Sequence, residues 1–268
     1  MSTPKITGKK LLMELDFPAY MHVDFIKCSY GIFSESINNL LSYYVEKASG
    51  STKGEASFAI RFLFARCIND LISGYHLATH GYTIQCYSVQ RGILESLDLI
   101  ALFIKDNSYS ATWINNPKQF RTDYKLWKIR QILGKSTYDD LYGHFCEMGS
   151  HPSFQSSRTM SYMRKQPNKN PQIIVRVGPT DLVYPIIFSL GFSYLLLLSI
   201  VLLMTRYFET NHQGGVDFFM KELNYYKICF KDCLQPALAK SSGKQRTDIE
   251  DILNEISKLE KTINKTNS

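Results

Sequence analysis

The chain lacks the paired cysteines, glycine-rich phosphate loops and nucleophile elbows by which many functions can be read directly. Its six cysteines, Cys28, Cys67, Cys86, Cys146, Cys229 and Cys233, include no C-x-x-C pair. Most of them fall inside apolar helical patterns, which excludes a disulfide framework and points to reduced core thiols of a cytoplasmic protein. There is no G-x-x-x-x-G-K-[ST], no G-x-G-x-x-G and no G-x-S-x-G, so neither a nucleotide loop nor a hydrolase elbow is supported, and no cofactor is implied. The opening run MSTPKITGKK carries basic residues, but no continuous apolar stretch and no small-residue cleavage site follow it, so it does not read as a secretory signal. There is no internal repeat. Tryptophan is scarce, with two residues, whereas tyrosine (17) and phenylalanine (16) are abundant and offer large buried surfaces.

What is present is globular. Apolar residues make up 44% and charged residues 21% of 268, a composition that argues against disorder. The net charge of +7 is concentrated. Residues 118–176 hold eleven Lys/Arg against four Asp/Glu, which is 11 − 4 = +7, and the remainder balances at 20 of each sign. A patch of this kind suits an anionic partner, nucleic acid first of all.

Helical periodicity dominates. The spacing predicts helices over residues 19–48, 55–79 and 82–105, the last with an apolar stripe of Cys86, Val89, Ile93, Leu97, Ile100 and Ile104. Shorter helices are expected at 109–114, 118–133 and 137–148, stopped in turn by Pro117, Gly134 and the run Gly149-Ser150-His151-Pro152-Ser153. Residues 158–178 are not helical in pattern; the β-branched Ile173–Val177 stretch with 160–163 predicts a small β-hairpin insertion.

Residues 182–205 hold 24 positions without a charge, long enough to cross a bilayer. Ser189, Gly191, Ser193, Tyr194 and Ser199 interrupt the run, and a helix apolar all round is also what the centre of a bundle needs. The buried central helix is the reading adopted, with membrane attachment as the alternative. A further helix is expected at 216–239, then a linker at 240–246. In the last segment, 247–264, Thr247 and Glu250 form a capping box, and Ile249, Ile252, Ile256, Leu259 and Ile263 form a heptad seam. Two heptads are marginal alone, so this helix is expected to pair with a copy of itself or another protein, or to dock on the body. The resulting plan is a tail (1–18), a helical bundle (19–239), the linker and the heptad helix.

Several constellations could carry chemistry. Ser88, Arg91, Glu95 and Asp98 share one helix face, readable as a solvated ion pair or as a face turned into a cleft. His144 and His151 flank a helix end, where imidazoles either satisfy carbonyls or move protons. Arg206 and His212 have Arg-x5-His spacing; an arginine polarising phosphate beside a proton-moving histidine suits metal-independent RNA cleavage through the 2′-hydroxyl. The alternative is a plain helix end. His76 with His80, and Cys229 with Cys233, have i, i+4 spacing but no third metal ligand, and read as structural. In the basic segment Lys118, Arg121, Lys125 and Lys128 recur at 3, 4, 3, which predicts one helical stripe interleaved with Tyr124 and Trp127. Arg158, Arg164, Lys165, Lys169 and Arg176 extend the charge onto the following segment.

The sequence R-G-I-L-E (Arg91–Glu95), the Trp113 segment, Y-G-H-F-C-E-M-G-S-H-P-S (Tyr142–Ser153) and the long apolar helix resemble a family of bacterial helical proteins. That family carries Arg-x3-Glu followed by Tyr-x2-Leu-Ser-x3-His-Pro-Ser; this chain departs from it at Phe145-Cys146. The family is associated with HEPN-like helical bundles, many of them ribonucleases of toxin and anti-phage defence systems. The resemblance implies a shared site lined by Arg91, Glu95 and His151. It also implies an Arg-x4-6-His signature, matched here by Arg206 and His212, with Tyr207 where a polar residue is usual. The expectation is therefore a mostly α, HEPN-like protein that binds or cleaves RNA. The alternatives are a protein-interaction module and a membrane-attached helical protein.

Overall fold

A computed structural model describes residues 24–48, 54–135, 140–150, 161–164, 172–175 and 183–208, with isolated helical positions at 221, 224, 250 and 254. The described chain is mostly helical. Its helices are α1 (Asp24–Ala48), α2 (Glu55–Thr79), α3 (Thr83–Lys105), α4 (Ser108–Asn115), α5 (Pro117–Asp123), α6 (Leu126–Ile132), α7 (Asp140–Phe145) and α8 (Val183–Phe208). A single π-helical turn, Cys146–Ser150, continues α7. Two short strands, β1 (Ser161–Arg164) and β2 (Gln172–Val175), run antiparallel, with Ser161 opposite Val175 and Arg164 opposite Gln172.

The frame is the hairpin of α2 and α3. Gly81 closes it at φ +83, a left-handed conformation that only glycine adopts without strain. Tyr82 N–H donates to the Leu77 carbonyl at 2.8 Å across the turn. Near the turn Gly74 lies against Val89 and Cys86, so the two helices approach closely there. Buried residues recur along both helices at helical spacing, among them Ile60, Leu63, Phe64, Cys67 and Leu71 on α2 and Ile93, Leu97, Ile100 and Phe103 on α3. Burying each such side chain contributes about 1.5–3 kcal/mol.

The long apolar helix α8 lies across this hairpin and against α1. Its stretch Phe188–Phe208 is long and apolar enough to cross a membrane, and 72% of the apolar 18-residue window within it is buried inside the bundle. Ile186, Leu190, Leu195, Leu196, Leu197, Leu198, Ile200, Val201 and Met204 are all buried. The polar residues that interrupt the apolar run are what fix its orientation. Gln90 of α3 is fully buried and its Nε2 donates to the Ser189 carbonyl at 2.7 Å and to Ser193 Oγ at 2.9 Å. Tyr194 shares a 2.9 Å hydroxyl bond with Ser36 of α1 and lies edge-on to Phe33, which in turn stacks on Tyr75 of α2. In an interior this apolar, each polar group needs its partner, so these bonds specify the rotation of α8.

The thiols of Cys67, Cys86 and Cys146 are free and buried. Burial pushes both Cys67 and Cys86 up to about 12, which keeps them as protonated, unreactive core groups. The expected helix at 216–239, the linker at 240–246, the heptad helix at 247–264 and the tail at 1–18 lie outside the described residues, apart from the four isolated positions.

Candidate functional site

The basic segment does not form one helical stripe. A single helix over 118–133 is expected from spacing, but the chain leaves the helix at Tyr124 (φ −122, ψ 66) and Lys125 (φ −63, ψ 150), giving α5 and α6. The reason is the core. Phe120 and Ile129 are nine residues apart, which on a continuous helix would put them about 180° apart. The break lets both turn inward, and both are buried.

Lys118, Arg121, Lys125 and Lys128 nonetheless all end up exposed. Among the described residues none of the four has a carboxylate partner, whereas Arg66, Arg91, Arg130 and Lys135 all do. Lys128 Nζ stands 5.1 Å from the centroid of the Tyr124 ring. Trp127, between these lysines, is 49% exposed. Residues 118–128 thus leave four cations and one aromatic ring open to solvent.

Arg130 is the exception in this segment, and sequence reasoning counted it only as one more cation. It points inward from α6, fully buried, and its Nε donates to Asp98 Oδ2 of α3 at 2.9 Å. The other Asp98 oxygen accepts from Lys135 Nζ at 2.6 Å. The Arg130 guanidinium also lies 4.5 Å from the ring centroid of Tyr142 on α7. One carboxylate therefore ties α3 to α6 and to the turn after it, and α7 is held by the same group of side chains.

The predicted polar face of α3 adjoins this cluster. Arg91 Nε donates to Glu95 Oε1 at 2.8 Å, and the Tyr142 hydroxyl donates to the same oxygen at 3.2 Å. Arg91 also lies 5.6 Å from the Tyr142 ring centroid. Arg91 and Glu95 are half-buried, so this is neither a fully solvated ion pair nor a closed core site. Burial, followed by its hydrogen bond with Cys146 and the charge of Glu95, raises the Tyr142 phenol above its ordinary range and keeps it a neutral donor. Tyr142 opens the segment Tyr-Gly-His-Phe-Cys, but its part in joining Arg91, Glu95 and Arg130 depends on the tertiary fold, with about 50 residues of chain between it and Arg91 or Glu95, and is invisible to spacing.

The π-helical turn beside the cluster is seated tightly on α3. A Cβ at Gly149 would fall 2.6 Å from the backbone nitrogen of Ser88 and 2.8 Å from the Tyr87 carbonyl carbon, so only glycine fits. Ser88 Oγ donates to the Gly149 carbonyl. His144 does not sit as a carbonyl-capping residue exposed at a helix end. It packs among Tyr87 (5.3 Å between centroids), Phe192 (5.2 Å) and Phe145 (6.1 Å), and its Nε2 is buried without a hydrogen bond. Burial lowers its pKa, and the ring is neutral at physiological pH.

The remaining candidates are placed as follows. Arg206 is exposed on the last turn of α8. It stands 13 residues past Ser193, the partner of Gln90, which is about 20 Å along the helix axis. His151, His212, Arg158 and Lys165 lie outside the described residues; Arg164 is described as the last residue of β1, opposite Gln172. His80 Nδ1 is 2.9 Å from the His76 carbonyl oxygen and their rings are 4.1 Å apart, a helix-end arrangement. Among the described residues no three His, Cys, Asp or Glu side chains gather as a metal site.

No family model matches this chain, and neither does any curated protein or any solved structure.

Proposed function

We propose that this protein is a helical, HEPN-like RNA-binding protein that grips the phosphate backbone through α5 and α6. The observation that carries this reading is the set of four exposed cations, Lys118, Arg121, Lys125 and Lys128, none paired with a carboxylate among the described residues. Other cations of the described chain, among them Arg66, Arg91, Arg130 and Lys135, pair with a carboxylate, and Arg61 and Lys105 bond to backbone carbonyls. Leaving four like charges unneutralised within residues 118–128 opposes folding slightly and favours an anionic partner. Arg158, Arg164 and Lys165 would extend the track along the following segment, on a β-hairpin insertion near 158–178 that would be part of the same reading. Reversing Lys118, Arg121, Lys125 and Lys128 to glutamate together tests the reading: RNA binding should be lost, and binding that persists unchanged would refute it.

The same reading includes metal-independent cleavage in a toxin-type or anti-phage setting. Arg206 with His212 would polarise the phosphate and move the proton, while Arg91 and Glu95 with His151 line the second candidate site. The exposure of Arg206 suits an arginine that meets a ligand, and Arg91 and Tyr142 both bond to one Glu95 oxygen, which orients the Glu95 carboxylate.

A second reading, a non-enzymatic interaction protein, is favoured by a different observation. Phe58 and Phe62 of α2 are 56% and 52% exposed and lie 6.4 Å apart, with Trp113 6.5 Å from Phe62. An aromatic patch of this kind is the usual centre of a protein interface.

A further inference from the structure

The two tryptophans of the chain have opposite fates, and the difference bears on which form of RNA the basic face would take. Trp113 is half-buried and packs on Phe62 and Phe103, with centroids 6.5 and 5.7 Å away. Trp127 is 49% exposed, and among the described residues it has neither a ring partner nor a hydrogen bond for its indole N–H. The core side of this helix is held by Ile129 and Arg130, while about half of the indole surface is left in water. Its neighbours along the chain, Lys125 and Lys128, are exposed as well.

We infer that this face takes unpaired RNA, with Trp127 stacking on one base while Lys125 and Lys128 hold the flanking phosphates. The inference rests on the RNA-binding reading above and adds the strand class. Base stacking on an aromatic side chain needs an exposed π-face, which a single strand offers and a duplex keeps inside its own stack. A-form duplex presents this surface only with phosphates and 2′-hydroxyls, to which the four cations respond but the indole does not. Because every base has a π-face, the selectivity is for strandedness and not for sequence.

The test uses the full chain with a short oligouridine and, separately, an RNA duplex of the same length, following tryptophan fluorescence and affinity. The single strand should quench fluorescence and bind more tightly than the duplex. In Trp127→Phe the quench should disappear, since only Trp113 remains to report, while most of the affinity is kept. Trp127→Ala should weaken single-strand binding about tenfold or more and leave duplex binding unchanged. The retained duplex binding shows that the fold is intact in this variant, so lost single-strand binding cannot be ascribed to lost fold. Equal affinity for both forms with Trp127→Ala unaffected would overturn the stacking inference and leave RNA binding standing. Failure of the parent protein to bind either form would overturn both.

Discussion

Arg130 and Asp98, 32 residues apart in the chain, form a buried ion pair with 2.9 Å between Nε and Oδ2, their side chains only 1% and 3% exposed. The pair is the joint at which the short helices that carry the basic face are fixed to the long hairpin. On α6 the outer residues Trp127 and Lys128 face solvent, while Ile129 and Arg130 are buried against the core. Its effect on stability follows from burial. Removing one partner of a buried pair leaves an uncompensated charge, at a cost of about 3–5 kcal/mol. Asp98→Ala should therefore lower the free energy of unfolding by about that much. Lys135→Ala, which removes the 46%-exposed second cation on the same carboxylate, should cost no more than about 1 kcal/mol. Denaturant unfolding of both variants checks the order.

The seat of the π-helical turn makes a second prediction. Gly149→Ala must push the turn away from Tyr87 and Ser88 of α3, and overpacking of this kind costs about 1–3 kcal/mol. Ser88→Ala removes its hydrogen bond to the Gly149 carbonyl and the longer one, 3.3 Å, to the Ile84 carbonyl, and should cost about 0.5–1.5 kcal/mol. Thermal denaturation should rank Gly149→Ala as the more damaging.

Acid should weaken the fold through His144. Its folded-state pKa lies below the ordinary value of 6.5 because burial among aromatic rings disfavours the charged form. The unfolded chain therefore binds the proton at higher pH than the folded one. The stability contribution of the neutral ring is complete above about pH 6.5 and is lost as pH falls from there through the lowered folded-state pKa. A His144→Phe variant cannot take up this proton. Comparing urea midpoints at pH 8 and pH 5, the parent should lose more stability than the variant.

Cleavage, where RNA is the substrate, should depend on the histidines. His212→Ala or His151→Ala should reduce RNA hydrolysis about 10²–10⁴-fold, the usual effect of losing a general acid or base. Binding at α5 and α6 should persist in both variants. Hydrolysis that continues unchanged in both would remove the cleavage part of the proposal and leave the binding part intact.

The parts of the fold legible in the sequence are those governed by local periodicity. Helices α2 and α3 fall where their apolar stripes put them, and Gly81 marks the turn between them. The apolar α8 is covered by the bundle, and the interrupting Ser189, Ser193 and Tyr194 prove to be its bonds to α3 and α1. The break between α5 and α6 was not legible, because no glycine or proline lies at Tyr124 or Lys125. It is imposed by the need to bury both Phe120 and Ile129. The candidate cluster was half legible. Arg91 and Glu95 are one helical turn apart, but Arg130, Tyr142 and Lys135 reach them or Asp98 only through the tertiary fold.

The central claim is that α5 and α6 hold an RNA backbone, and the salt dependence of binding measures this most directly. Each phosphate neutralised on a single strand contributes about 0.7 to the slope of log Kobs against log salt. If Lys118, Arg121, Lys125 and Lys128 each meet one phosphate, replacing all four by glutamine should flatten the slope by about 3. It should also weaken binding at low salt. The same slope and affinity in the parent and the fourfold variant would contradict the account.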